Sequence, residues 1–107
     1  MSATALELLR LPDELGPPTA ASVGAYLRSL GVEPHPWSNG PGDRYAAHEH
    51  AYTKVLMCAA GSITFVVGAD ERPLTLRPGE GFVLPPRTRH AADVGPEGVT
   101  CLEGQRG

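Results

Sequence analysis

The sequence has few of the features that mark nucleic-acid-binding, membrane or secreted proteins. It contains no cluster of Lys and Arg and carries a formal net charge of −3, so no nucleic-acid partner is expected. No segment is apolar for long enough to span a bilayer, and the N-terminus lacks a basic start followed by an apolar run, so no membrane partner is expected. Two cysteines, Cys58 and Cys101, are too few for a secreted disulfide framework. These absences predict a cytoplasmic protein.

The composition fits one globular domain. A chain of 107 residues with 41% hydrophobic content can bury a single core and is too short for two. The 13 Gly and 11 Pro lie between apolar runs. They therefore indicate turns in a many-stranded fold rather than disorder.

Residues 1–36 are predicted to form an N-terminal extension with one helix. The run LELLRL fits either a helical turn or a short strand. In the stretch TAASVGAYLRSLGVEP, apolar residues recur at helical spacing, Thr19 or Ser22 can cap the N-terminus, and Gly31 lies just past the end. We expect this short helix to pack on the domain that follows.

Residues 37–107 are predicted to be strands and turns. The runs KVLMCAA and SITFVVG are separated by Gly61, and LTL, FVLPP, RHAADV and VTCLE follow between turn-forming residues. Short strands at this spacing, interrupted by Gly and Pro, predict an antiparallel sandwich or barrel.

Two segments of this region resemble the two motifs of the cupin superfamily. GDRYAAHEHAYTKVLMCAAG, residues 42–61, resembles the first motif: Gly, five residues, His-x-His, three or four residues, Glu, six residues, Gly. GEGFVLPPRTRH, residues 79–90, resembles the second: Gly, five residues, Pro-x-Gly, two residues, His. The resemblance covers residues 37–102. It implies an all-β cupin barrel, a double-stranded β-helix or jelly roll, to which the sequence adds its short N-terminal helix.

The match departs from the motifs at two positions. Lys54 stands where the first motif has glutamate, the usual fourth metal ligand, and Arg87 stands where the second has glycine. A turn tolerates arginine as long as its backbone keeps a negative φ.

Three histidines are the predicted metal ligands. His48 and His50 share one face of an extended strand, and His90 starts another strand that barrel closure could bring opposite. Three neutral imidazoles can hold a divalent transition metal and leave positions open, and this ligand type does not distinguish Zn, Fe, Mn, Ni and Cu. The alternative is that these side chains are satisfied polar groups or lie exposed on a strand.

Lys54 and Tyr52 have the same inward parity as the histidines, and we expect them to contact substrate or take part in catalysis. Burial beside a dication disfavours a protonated lysine. Lys54 could be neutral and act as a base or ligand, stay charged and hold an anionic substrate, or turn away to pair with a carboxylate. The last two outcomes are favoured jointly.

Other aromatic residues admit two interpretations. Trp37 and Tyr45 could rim the mouth of the barrel, and the preferred interpretation of Trp37 is an anchor for the N-terminal helix. Cys58, which also has inward parity, is interpreted as a core residue.

Function is less determined than fold, because one fold hosts many chemistries. The resemblance implies a metal-dependent oxygenase, isomerase or lyase, and the positive charge of a metal held by neutral ligands favours a small anionic organic molecule as its substrate. The alternative is a small-molecule-binding or sensing module without turnover. Single-barrel cupins commonly pair, so a homodimer is expected by analogy.

Overall fold

The fold is described by a computed structural model covering residues 6–106. The elements are a 3-10 turn at Asp13–Leu15, helix α1 at Ala20–Ser29, and strands β1 Glu7–Arg10, β2 His35–Asn39, β3 Arg44–His48, β4 Thr53–Val67, β5 Arg72–Leu76, β6 Glu80–Leu84 and β7 His90–Arg106. The strands form an antiparallel sheet with the order β1-β6-β4-β7-β2, in which β3 also pairs with β7 and β5 with β4. This mostly β architecture confirms the predicted jelly-roll barrel with a short N-terminal helix.

Helix α1 forms where the sequence predicts it. The Thr19 hydroxyl accepts a hydrogen bond from the Ser22 amide at 3.0 Å, and the Ser22 hydroxyl accepts one from the Thr19 amide at 2.9 Å. This capping box satisfies two amides that the helix cannot bond internally. Val23 and Leu27 are fully buried in a cluster that includes Met57 of β4, so α1 covers the outer face of the sheet.

The first residues of the described chain join the same sheet. The run LELLRL contains a strand rather than a helical turn, because β1 pairs with β6 from Glu7 opposite Val83 to Arg10 opposite Glu80. The domain boundary predicted between residues 36 and 37 falls inside β2.

The strands β4 and β7 are longer than predicted. Four runs that were expected to be separate strands form two continuous ones, which pair from Thr53 opposite Arg106 to Val67 opposite His90. The prediction that one strand ends and another begins at Gly61 is wrong. The pairing of β4 with β7 shifts register and bends near Gly61, but it continues on both sides.

The register shifts exchange the two faces of β4. Before them, Leu56 and Cys58 point into the barrel, whereas Val55 and Met57 point toward α1. After them, odd-numbered residues such as Ile63 point into the barrel. Side chains alternate between the two faces of a strand, so one extra residue at a bulge moves every later side chain to the opposite face. The alternation therefore predicts which residues point inward only as far as Cys58.

The two cysteines lie directly opposite each other on β4 and β7. Cys58 and Cys101 are free thiols and fully buried. Cys58 is therefore part of the interior core, as predicted. No helix in the described part of the chain is long and apolar enough to cross a bilayer.

The bend at Gly61 generates the first testable prediction. Gly61 has φ +73°, and a Cβ there would collide with the backbone oxygen of Gly98. We expect Gly61→Ala to lower the free energy of unfolding by about 3 kcal/mol, as measured by urea denaturation, because strain at positive φ adds to a clash with backbone that cannot rotate away.

Gly16→Ala is the matched control for this substitution. Gly16 has a similar φ of +81°, but a Cβ there meets nothing within 4 Å. Gly16→Ala should lower the free energy of unfolding by about 1 kcal/mol, because only the backbone conformation is strained. Equal losses in the two variants would contradict a steric role for Gly61.

Candidate metal centre

His48, His50 and His90 come together at one end of the barrel. One ring nitrogen from each lies within 4.8 Å of those of the other two. His48 ends β3 and lies opposite His90, the first residue of β7, and His50 follows in the connection to β4. The three rings have centroids 4.3–5.1 Å apart, so the structure assembles the predicted triad from separate segments.

Backbone carbonyls orient two of the three rings. His48 Nδ1 lies 3.0 Å from the Ala46 oxygen, and His90 Nδ1 lies 2.9 Å from the Thr88 oxygen. A carbonyl only accepts, so each Nδ1 carries the hydrogen and donates it. Each Nε2 is then left with a lone pair, which is the arrangement that prepares an imidazole for a metal.

The third ring presents a buried nitrogen with no partner. Among the described residues, His50 Nε2 is buried without a hydrogen bond. Its backbone is held by the amide of Arg87, which donates to the His50 oxygen at 2.6 Å. An unpaired buried nitrogen is costly unless something else satisfies it, and a cation held jointly with the other two imidazoles would do so.

The surroundings favour the neutral form of two of these imidazoles, His50 and His90. Burial lowers the pKa of His50, and the nearby positive charge of Lys54 lowers it further. Burial also lowers the pKa of His90, although its hydrogen bond to the Thr88 carbonyl opposes this effect. Neutral imidazole is the form that binds metal, so the lowered pKa values favour metal binding by His50 and His90.

Lys54 points into the barrel and pairs with a carboxylate. Its ammonium lies 3.3 Å from Oε2 of Glu103, and its side chain is only 13% exposed. The other oxygen, Oε1, accepts a hydrogen bond from Trp37 Nε1 at 2.8 Å. Of the three outcomes considered for Lys54, the structure contains the pairing with a carboxylate, but the side chain has not turned away from the site, because it still lines the cavity beside His48 and His90.

Glu103 is a site residue that the sequence analysis missed. Its signal was available, because Glu103 lies two residues after Cys101 on β7 and therefore points to the same interior face. Detecting that signal required knowing that Cys101 is fully buried, which the sequence alone did not establish.

Tyr52 lies beside the triad. Its ring centroid is 4.8 Å from that of His50, with 31° between the planes. This places a phenol against one of the three imidazoles.

A cavity of about 200 Å³ adjoins the triad. Its polar lining includes His48, His90, Lys54 and Glu103. The remaining lining is aromatic or aliphatic: Trp37, Tyr45, Leu56, Ile63, Phe65, Ala91 and Ala92. Most of its wall is therefore apolar, with a few convergent polar groups, as in small-molecule sites.

Trp37 belongs to this cavity rather than to the helix interface. It packs against the interior cluster and meets Tyr45 edge-on, with ring centroids 5.9 Å apart. The prediction that Trp37 anchors the N-terminal helix is wrong, because β2 pairs with β7 in a register that turns the indole toward Glu103.

Arg87 has a backbone conformation that the sequence analysis did not anticipate. Its φ is +58° rather than negative, so the turn keeps the geometry for which glycine is suited even though arginine occupies it. The turn is retained because the Arg87 amide bonds the His50 oxygen, which links the second motif to the first.

Arg87→Gly should therefore stabilise the protein. Removing the side chain relieves the strain at positive φ, which exceeds the added flexibility of glycine in the unfolded chain. We expect the free energy of unfolding to rise by about 0.5–1 kcal/mol, as measured by chemical denaturation. Arg87→Ala removes the guanidinium but keeps the strain, so a gain of equal size in that variant would contradict the explanation.

Comparisons with known proteins agree with this fold. The family model described as the AraC-like ligand binding domain matches residues 37–102. No curated protein sequence matches the chain.

Several solved structures are similar. A chain from the crystal structures of the DMSP lyases RdDddP and RnDddQII has a TM-score of 0.64 and 25% identity, covering 71% of this chain and 38% of that one. A DUF861 family protein from Thermotoga maritima has a TM-score of 0.66 and 14% identity, covering 95% and 100%. KdgF from Halomonas sp. has a TM-score of 0.59 and 18% identity, covering 69% and 67%. The chain thus spans well under half of the DMSP lyase chain, and the two less similar structures support the fold alone.

Proposed function

The chain belongs to the family of AraC-like ligand-binding domains, and from that premise we propose that it is a small metal-binding cupin acting on a small anionic organic molecule. In this proposal, His48, His50 and His90 hold a divalent transition metal. The adjoining cavity receives the molecule, with Lys54 and Tyr52 as its contacts.

The observation that carries the proposal is the state of the three imidazoles. Two of them donate from Nδ1 to backbone carbonyls, and the third has a buried Nε2 without a partner among the described residues. If these histidines made all their hydrogen bonds within the protein, the buried Nε2 of His50 would have a partner. Three neutral nitrogen ligands are typical of catalytic sites, which keep further positions open.

The charge of the site supports an anionic ligand. Imidazoles that bind a metal are neutral ligands, and the Lys54 and Glu103 charges offset each other, so a bound dication would leave the site with a net positive charge. In a cavity with mostly apolar walls, that charge is poorly screened. A carboxylate or an enolate is the chemical class that it favours.

The protein side chains would orient the ligand. An ammonium has three donors, and Glu103 lies on one side of Lys54, which leaves the donors facing the cavity for an oxygen of the ligand. Tyr52 packs against His50 and is not among the residues that line the cavity, so its contact with the molecule would be beside the metal. The apolar walls would exclude water from the remainder of the molecule.

The metal would supply Lewis acidity by polarising an oxygen of the bound molecule. Oxygenase, isomerase and lyase chemistry are all compatible with this role. The DMSP lyase chain, at 25% identity, makes a lyase one candidate class for this chain.

The second candidate is a binding or sensing module without turnover. The family description, a ligand-binding domain, favours it. The same cavity and triad would then hold a small molecule unchanged. The cytoplasmic location and the homodimer stay predictions, because a single chain tests neither.

Metal content is the primary test. We expect protein purified without a His-tag to contain a stoichiometric transition metal by elemental analysis, and His50→Ala to lose it, because that variant removes one of three ligands.

His35→Ala is the matched control for metal loss. His35 is exposed on β2, and it is not part of the described triad. It should leave the metal content unchanged. Lys54→Glu restores the carboxylate of the cupin motif, so absence of metal from both the wild type and Lys54→Glu would exclude the metal centre.

Ligand class can be tested with the only tryptophan of the chain, Trp37, which lines the cavity. Small carboxylates should change its fluorescence and bind about tenfold more weakly to the double variant Lys54→Met/Glu103→Gln, which removes the ammonium without leaving an unpaired charge. The corresponding neutral amides should bind both proteins equally. Equal weakening of acids and amides would contradict recognition of the anion by Lys54.

A further inference from the structure

We propose that Glu103 is a positioning residue that holds the Lys54 ammonium against the cavity wall, so that the three histidines can accept a divalent cation although a lysine replaces the motif glutamate. This inference rests on the proposed metal centre. It assigns a role to Glu103, which lies outside both motif segments. It also explains how the site can bind a cation although Lys54 occupies the position of the motif glutamate.

The difficulty that Glu103 resolves is the charge of Lys54. Lys54 is the only lysine of the chain and is largely buried. It lines the same cavity as His48 and His90. An unpaired ammonium there would repel a dication strongly, because the partly buried site screens charge poorly.

Strand register places Glu103 where it can take up this charge. Glu103 lies opposite Leu56, and Lys54 lies opposite Gln105, in the β4–β7 ladder. Lys54 and Glu103 are therefore diagonal neighbours on the interior face, a spacing that long side chains can bridge. The salt bridge of 3.3 Å between them follows from this register.

A second contact fixes the direction of the carboxylate. Trp37 of β2 donates its indole N–H to Oε1, while Lys54 of β4 approaches Oε2. β7 carries Glu103 between these two strands, so the carboxylate is held from both sides. With both oxygens engaged, Glu103 is not a member of the metal-ligating group found among the described residues, which contains only the three histidines.

The consequence is a change in the charge of the metal centre. In the motif that this chain resembles, a glutamate beside three histidines would give the ligand set one negative charge. Here the carboxylate comes from a different strand and offsets the lysine, so the ligand set is neutral. A bound dication therefore keeps its full charge for an anionic ligand.

Zinc affinity tests the role of Glu103. Affinities of wild type, Glu103→Gln, Lys54→Met and the double variant would be measured by competition with a chromogenic chelator at one pH. We expect Glu103→Gln to weaken zinc binding about tenfold or more, because the ammonium loses its partner. The double variant should return to the wild-type affinity, and Lys54→Met alone should bind more tightly, because it leaves a negative charge near the cation.

This pattern separates positioning from a general loss of structure. Damage to the fold would weaken binding in all three variants, whereas the charge argument requires opposite signs for the two single substitutions and recovery in the double. Thermal midpoints without metal would show that each variant is folded. An affinity of Glu103→Gln equal to that of wild type, or a double variant as weak as Glu103→Gln, would overturn the inference and leave the metal centre standing.

Zero-length cross-linking tests the ion pair without metal. A carbodiimide should join Lys54 to Glu103 through an amide with loss of one water, and peptide mass spectrometry can assign the carboxyl partner because Lys54 is the only lysine of the chain. Glu103→Gln is the control that should not form this link. Failure of the wild type to form it would contradict the pairing, whereas failure of every variant to bind zinc would overturn the metal centre together with the role assigned to Glu103.

Discussion

The pairing of β4 with β7 along their whole lengths is the constraint on which the rest of the structure depends. The two strands bend together near Gly61, where their register shifts, and they stay paired from Thr53 opposite Arg106 to Val67 opposite His90. One end of this ladder brings His90 to β3 and the other brings Glu103 near Lys54. Because both ends face the same interior, this bent pair of strands supplies His90, which is one of the three candidate ligands, and both members of the ion pair.

The site depends on a balance of charge as much as on geometry. Burial and neighbouring positive charge lower the pKa of His50 and His90, which keeps these groups neutral. A nearby lysine charge favours neutral imidazoles but would repel a cation bound to them, and the carboxylate of Glu103 pairs with that charge at 3.3 Å. The cavity that results has apolar walls and few polar groups, so each of those groups has a strong influence on what can bind there.

Much of this could be predicted from local patterns. The helix α1 forms where it was predicted, with Thr19, one of the two candidate caps, at its N-terminus. The three histidines, which occupy motif positions, lie together in the structure. The packing environment of Trp37 and the positive φ of Arg87 were not predicted. The side-chain environment of Trp37 depends on the β2–β7 register, and the positive φ of Arg87 is maintained by a hydrogen bond to His50 in another segment. The face reversal along β4 was also missed, because register shifts depend on the partner strand as well as on β4 itself.

The sequence by itself determined a many-stranded β fold and the helix, because periodicity, turn residues and capping residues are properties of neighbouring residues, and its resemblance to the cupin motifs singled out the three histidines. Only the tertiary structure decided which group Lys54 pairs with. The partner of that lysine, Glu103, is 49 positions away in the sequence and becomes its neighbour through cross-strand register. No local pattern encodes such a contact, since register is set by packing of the whole sheet.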